Sequence, residues 1–91
     1  MKENFYVYIL SNKSNRVVYT GVTLNLVQRI WQHKNKIADG FTSQYNVNKL
    51  VYFEIFDDAE NAIKREKNIK DWKRAWKDEL IEKKSRMAGF I

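Results

Sequence analysis

Three short runs rich in β-branched and aromatic side chains, at residues 5–10, 17–22 and 49–56, constrain what this chain can fold into. Each matches the length and composition of a strand. Six polar residues, Ser11, Asn12, Lys13, Ser14, Asn15 and Arg16, separate the first two, so these read as a hairpin. Pairing Leu10 with Val17 would set Tyr8 opposite Tyr19, both phenols on one face and their Cβ atoms roughly 5 Å apart. Gly21 would close the second strand where the backbone comes near a ligand. The third run is apolar on both faces, which predicts the central strand.

Between and after the strands the period changes. Asn25 with Gln28 three residues on is an N-cap signature. The helix it opens should carry Leu26, Val27, Ile30 and Trp31 to the core, with Arg29 and His33 one turn apart on a neighbouring face. Residues 39–43 read as a loop. Asp57 with Glu60 is a second capping signature. In the helix that follows, Ala59, Ala62, Ile63, Ile69 and Lys73 spread around one side, and Glu66 falls near the centre of that arc. Trp72, Trp76 and Leu80 recur every four residues, as a third helix or a continuation of the second. Residues 85–91 show no periodicity. The order strand, strand, helix, strand, helix, helix predicts an α+β domain over 1–91 with a three-stranded antiparallel sheet.

The 91 residues suffice for one core and not two. There is no cysteine and a single histidine, which excludes disulfides, thiolate sites and multi-histidine zinc sites. Lys plus Arg number 17 against 11 Asp plus Glu, and a net charge of +6 favours nucleic acid or an acidic surface as partner. The first apolar run is far short of the roughly 18 residues that span a bilayer. A soluble cytoplasmic monomer without membrane contact is the expectation.

The polar residues inside this apolar frame carry the chemistry. A carboxylate in a core-facing stripe is rare unless it is paired, metal-ligating or catalytic, which singles out Glu66. Phosphodiester hydrolysis needs an activated water, in-line geometry, positive charge on the developing phosphorane and help for the leaving oxygen. One carboxylate-bound divalent cation supplies charge and leaving-group assistance, arginine a planar cation, and phenol or imidazole a proton relay. Tyr8, Tyr19, Arg29, His33 and Glu66 include each of these types.

In this order the residues resemble a GIY-YIG nuclease domain, in the branch of short bacterial proteins consisting of that domain alone. Tyr6-Val7-Tyr8 stands where the family has its first motif and Tyr19-Thr20-Gly21 where it has the second. Arg29, His33 and the segment 62–67 around Glu66 follow in register, and residues 72–81 match the short branch. Tyr6 replaces the first motif's glycine, Thr20 the second motif's isoleucine, and Val22 a lysine of some relatives; the Asn-Pro element expected near Ser85 is absent. The resemblance implies a metal-dependent DNA endonuclease with Mg²⁺ or Mn²⁺ on Glu66. It implies that Tyr8 is the proton acceptor, Tyr19 positions water or phosphate, Arg29 stabilises the transition state, and His33 assists as donor or alternative base.

Each assignment has a plainer counterpart. The tyrosines could be a cross-strand aromatic pair, Arg29 and His33 helix-surface residues, and Glu66 a buried partner of Arg29 or a lysine. The basic residues Lys64, Arg65, Lys67, Lys70 and Lys73 are either a solvated face or a stripe that tracks DNA backbone, whether single-stranded, duplex or branched. The two tryptophans read as core in preference to stacking platforms. At the level of the whole chain, the competing function is a nucleic-acid-binding module that kept the nuclease fold without catalysis.

Overall fold

A computed structural model of the chain describes residues 4–37 and 40–88. Its elements run β1 (Phe5–Ser11), β2 (Val18–Thr23), α1 (Leu26–Lys34), α2 (Gly40–Gln44), β3 (Lys49–Phe56), α3 (Ala59–Asp71) and α4 (Arg74–Ala88). The expected α+β class and antiparallel three-stranded sheet are present, with one short helix more than expected. The strands lie in the order β2-β1-β3. The central strand is therefore β1, not the 49–56 run. Every residue of β1 from Val7 to Ser11 is buried, whereas β3 leaves Ile55 57% exposed. Apolar character on both faces is shared by the two strands and could not rank them; flanking by a partner on each edge does.

The sheet separates two clusters. Val7 and Ile9 pack with Tyr52, Ala62 and Ile69, which places α3 on that face. Tyr8 and Leu10 pack with Val47, Leu50 and, partly buried, Leu26 and Ile30, which places α1 on the other. A register shift in the β1–β3 pairing, from Ile9↔Tyr52 to Leu10↔Leu50, leaves Val51 as an extra residue. That bulge keeps Leu50 on the Leu10 face while Val51 and Tyr52 both serve the other cluster.

Both helix starts are capped by side chains, and one differs from expectation. Asn25 Oδ1 accepts from the Gln28 amide at 3.0 Å, as its signature predicts. For α3 the cap is Asp58, not Asp57, with Oδ2 accepting from the Asn61 amide at 2.9 Å. Residues 40–44 form the short helix α2 where a loop was expected, and residue 39 lies outside the described residues. Trp72 adopts an extended conformation, φ −68° and ψ 149°, so α4 is a separate helix and not a continuation. Ser85 to Ala88 belong to that helix, while 89–91 lie outside the described residues. Arg74 fastens α4 to the hairpin turn, donating from Nη1 to the Arg16 carbonyl at 2.7 Å and from Nη2 to that of Asn15. No helix among the described residues is long and apolar enough to cross a membrane.

Candidate active site

The hairpin register decides how the two tyrosines meet. Tyr8 pairs with Gly21 and Leu10 with Tyr19, two residues away from the expected alignment. A slip of two preserves the face, so Tyr8 and Tyr19 still project to the same side, but as diagonal neighbours. Their ring centroids are 6.3 Å apart. Gly21 lies inside β2 and not at its end, and the group that approaches it is the Tyr8 ring. A Cβ there would stand 2.6 Å from Tyr8 Oη and 2.7 Å from Cζ. Only glycine leaves room for the phenol to lie across the strand.

Helix α1 supplies the next two groups from the same face. Leu26, Ile30 and His33 turn toward the sheet, and Arg29 flanks them. The expectation that Val27 and Trp31 are core residues is corrected: they are 80% and 57% exposed. The helix is rotated so that polar Arg29 and His33 take inward positions, because partners await them there. Arg29 Nε donates to Tyr8 Oη at 3.2 Å, and Nη1 donates to Gln32 Oε1 at 3.1 Å. His33, 1% exposed, sets Nε2 3.4 Å from Tyr8 Oη and Nδ1 3.0 Å from Thr42 Oγ1. Its ring centroid is 5.6 Å from that of Tyr19. The hydrogen bond that Arg29 donates to Tyr8 holds its guanidinium still more firmly protonated than an ordinary arginine, against partial burial, with Tyr19 adding to the effect.

The donors and acceptors around Tyr8 form a directed chain. Tyr8 Oη accepts from Arg29, so its own proton points elsewhere, and His33 Nε2 is an acceptor within reach. In the tautomer that carries its proton on Nδ1, His33 donates to Thr42 Oγ1 and leaves Nε2 to accept from Tyr8. Thr42 and Gln32 carry no sequence signal: each fixes a catalytic-type side chain through one hydroxyl or amide oxygen, without periodicity or a motif.

Glu66 approaches from the opposite side of the sheet, on α3. With Ala62 and Ile69 it forms the buried stripe of that helix. Its residue exposure is only 8%. Lys70 Nζ lies 2.5 Å from Glu66 Oε2 and 6.0 Å from the centroid of the Tyr19 ring, so this ion pair joins Glu66 to the tyrosine cluster. The structure thus gathers Tyr8, Tyr19, Arg29 and His33 in one contact network and connects Glu66 to it through Lys70. Thr20, in the place of an isoleucine, is 3% exposed, and its hydroxyl has no hydrogen-bond partner among the described residues.

The five basic residues do not form a single stripe. At about 100° per residue, Lys67 and Lys70 lie on the flank toward which Glu66 leans, Lys64 faces away from the sheet, and Arg65 lies on the opposite flank. Arg65 is already engaged, with Nε 2.9 Å from Glu54 Oε1, Nη2 2.9 Å from Oε2, and the guanidinium 5.1 Å from the centroid of the Trp72 ring. Tyr52 Oη donates to the same carboxylate, and burial followed by this contact pushes its phenol well above the usual range. Lys73 lies beyond α3, where its carbonyl accepts from the Trp76 amide at 3.0 Å. Trp72 is partly buried against the core, but Trp76 is 53% exposed, so only one tryptophan is a core residue.

Comparison with known proteins bears on all of this. The pattern that defines the GIY-YIG catalytic domain matches residues 4–79. The chain belongs to the GIY-YIG family. A UPF0213 protein of Clostridium perfringens is 44% identical over 80 residues, covering 88% of this chain and 85% of that protein. One of Syntrophus aciditrophicus is 39% identical over 77 residues, 84% and 87% of the two chains. The solution NMR structure of a UPF0213 protein of Bacillus halodurans shares the fold with a TM-score of 0.57 at 32% identity, covering 89% of this chain and 85% of that one. The match to the GIY-YIG domain spans Tyr8, Tyr19, Arg29, His33 and Glu66.

Proposed function

We propose that this GIY-YIG domain is an endonuclease that hydrolyses DNA phosphodiester bonds with a divalent cation, Mg²⁺ or Mn²⁺, bound at Glu66. The observation that carries the proposal is the chain Arg29–Tyr8–His33–Thr42, with Tyr8 Oη 3.2 Å from a guanidinium and 3.4 Å from an imidazole nitrogen. A structural tyrosine needs one such partner; a phenol that passes a proton needs a cation on one side and an acceptor on the other. Tyr8 Oη takes the proton of the attacking water as its own proton moves to His33 Nε2. Arg29 balances negative charge on that oxygen and on the phosphorane as the new P–O bond forms and the bond to the leaving oxygen breaks. Tyr19, on the same face, positions the water or the scissile phosphate.

Glu66 suits a cation. Its carboxylate is buried in an apolar stripe, already holds a positive group, and offers one protein ligand, which fits an ion that keeps water and substrate oxygens for its remaining positions. Among the described residues no cluster of three or more His, Cys, Asp or Glu could hold an ion alone. When bound, the cation supplies charge stabilisation and leaving-group assistance. Mg²⁺-dependent cleavage of single-stranded, duplex and branched DNA tests the proposal. Glu66→Gln is expected to abolish cleavage with fold and DNA affinity kept; cleavage that persists in Glu66→Gln, or in the wild type with excess chelator, overturns it.

A further inference from the structure

We propose that Lys70 is the resident counter-cation of Glu66 and the group that an incoming divalent ion displaces, so that Lys70 sets how tightly the site takes metal. This rests on Glu66 being the metal carboxylate of the proposed nuclease. A carboxylate that is only 8% exposed keeps its charge at a high desolvation cost unless a cation stands beside it. Lys70 is that cation, with Nζ 2.5 Å from Oε2. The two are i and i+4 on α3, with the glutamate nearer the N-terminus, the favourable orientation for such a pair. The contact is therefore built into one helix and needs no substrate to form it.

The same contact obstructs metal binding. An ammonium in hydrogen-bond contact with Oε2 occupies a lone-pair direction that a divalent ion needs, and its charge repels that ion at short range. Binding must therefore break the pair, and the position of Lys70 makes that feasible. Its side chain is 48% exposed against 11% for Glu66, so the lysine leaves into water while the carboxylate stays. In the paired state Lys70 Nζ also lies 6.0 Å from the centroid of the Tyr19 ring, so the ion pair borders the tyrosine cluster. Of the other basic residues of α3, Arg65 is held by Glu54, and Lys64 lies 3.9 Å from Glu60.

Calorimetric titration of Mn²⁺ into the full chain without nucleic acid tests this. Lys70→Met keeps the aliphatic stem and removes the charge; it is expected to bind Mn²⁺ about tenfold more tightly than the wild type. Lys70→Arg keeps a cation in place and is expected to stay near the wild-type affinity. Lys70→Gln serves as a second neutral variant should the methionine fail to fold, with the same expected gain. Equal or weaker Mn²⁺ binding in the folded neutral variants overturns the role of Lys70. Glu66→Gln separates this from failure of the underlying metal assignment, since Mn²⁺ binding that is indifferent to Glu66→Gln refutes Glu66 as the ligand, whatever Lys70 does.

Discussion

A Cβ at position 21 would press on Tyr8 Oη and Cζ at 2.6 and 2.7 Å and on Tyr19 Cε2 at 3.1 Å, so Gly21→Ala displaces both phenols at once. The expected result is a loss of about 1–3 kcal/mol in stability from overpacking, read by urea unfolding. Single-turnover cleavage should fall by roughly 10²-fold as the proton path lengthens. The residue types of this site were legible in the sequence, because a carboxylate, an arginine, a histidine and two tyrosines interrupt apolar patterns at recognisable intervals. That Tyr8 and Tyr19 share a face was legible too, since parity survives a slip of two residues. Their diagonal offset was not, and neither was the reason for Gly21, because both depend on a register that strand composition leaves open. Thr42 and Gln32 were hidden because they have no motif; that Glu66 pairs with a lysine was among the readings, but not that the lysine is Lys70.

Whole elements were easier to read than their rotations. The strand at Lys49–Phe56 and the Asn25 cap agree with their sequence signals, yet α1 turns Arg29 and His33 inward and leaves Val27 and Trp31 in water. A hydrophobicity rule fails there because Leu26 and Ile30 make the apolar contacts of α1 with the sheet, while Arg29 and His33 meet hydrogen-bond partners in Tyr8 and Thr42. The start of α3 gives an element-scale test through pH. The backbone hydrogen bond from Asn61, then its side chain, hold the Asp58 carboxyl below the usual carboxylate range. A depressed folded value means that the cap's ionic contribution is complete above the unfolded pKa and is lost as pH falls through the folded one. Asp58→Asn keeps a capping oxygen without the charge. Urea unfolding between pH 7 and pH 3 should therefore show a shallower acid loss in Asp58→Asn than in the wild type, and identical slopes would deny the ionised cap its role.

For the molecule as a whole, the net charge of +6 pointed to nucleic acid. At about 100° per residue, five basic residues within ten positions spread around the helix and make no single face. Binding to DNA in chelator should weaken with salt, and Lys67→Gln is expected to lower the slope by about 0.7 on single strands or 0.9 on duplex. Lys64→Gln, on the far side of α3, should leave it unchanged. The most direct test of the proposed chemistry removes one oxygen atom. Single-turnover cleavage with Mg²⁺ at saturating protein should fall by about 10²–10⁴-fold in Tyr8→Phe, as expected when a proton-transfer group is lost. DNA affinity and thermal stability should stay near wild type. Cleavage by Tyr8→Phe at the wild-type rate would contradict a proton path through Tyr8, and would return the Arg29–Tyr8–His33 chain to a purely structural role.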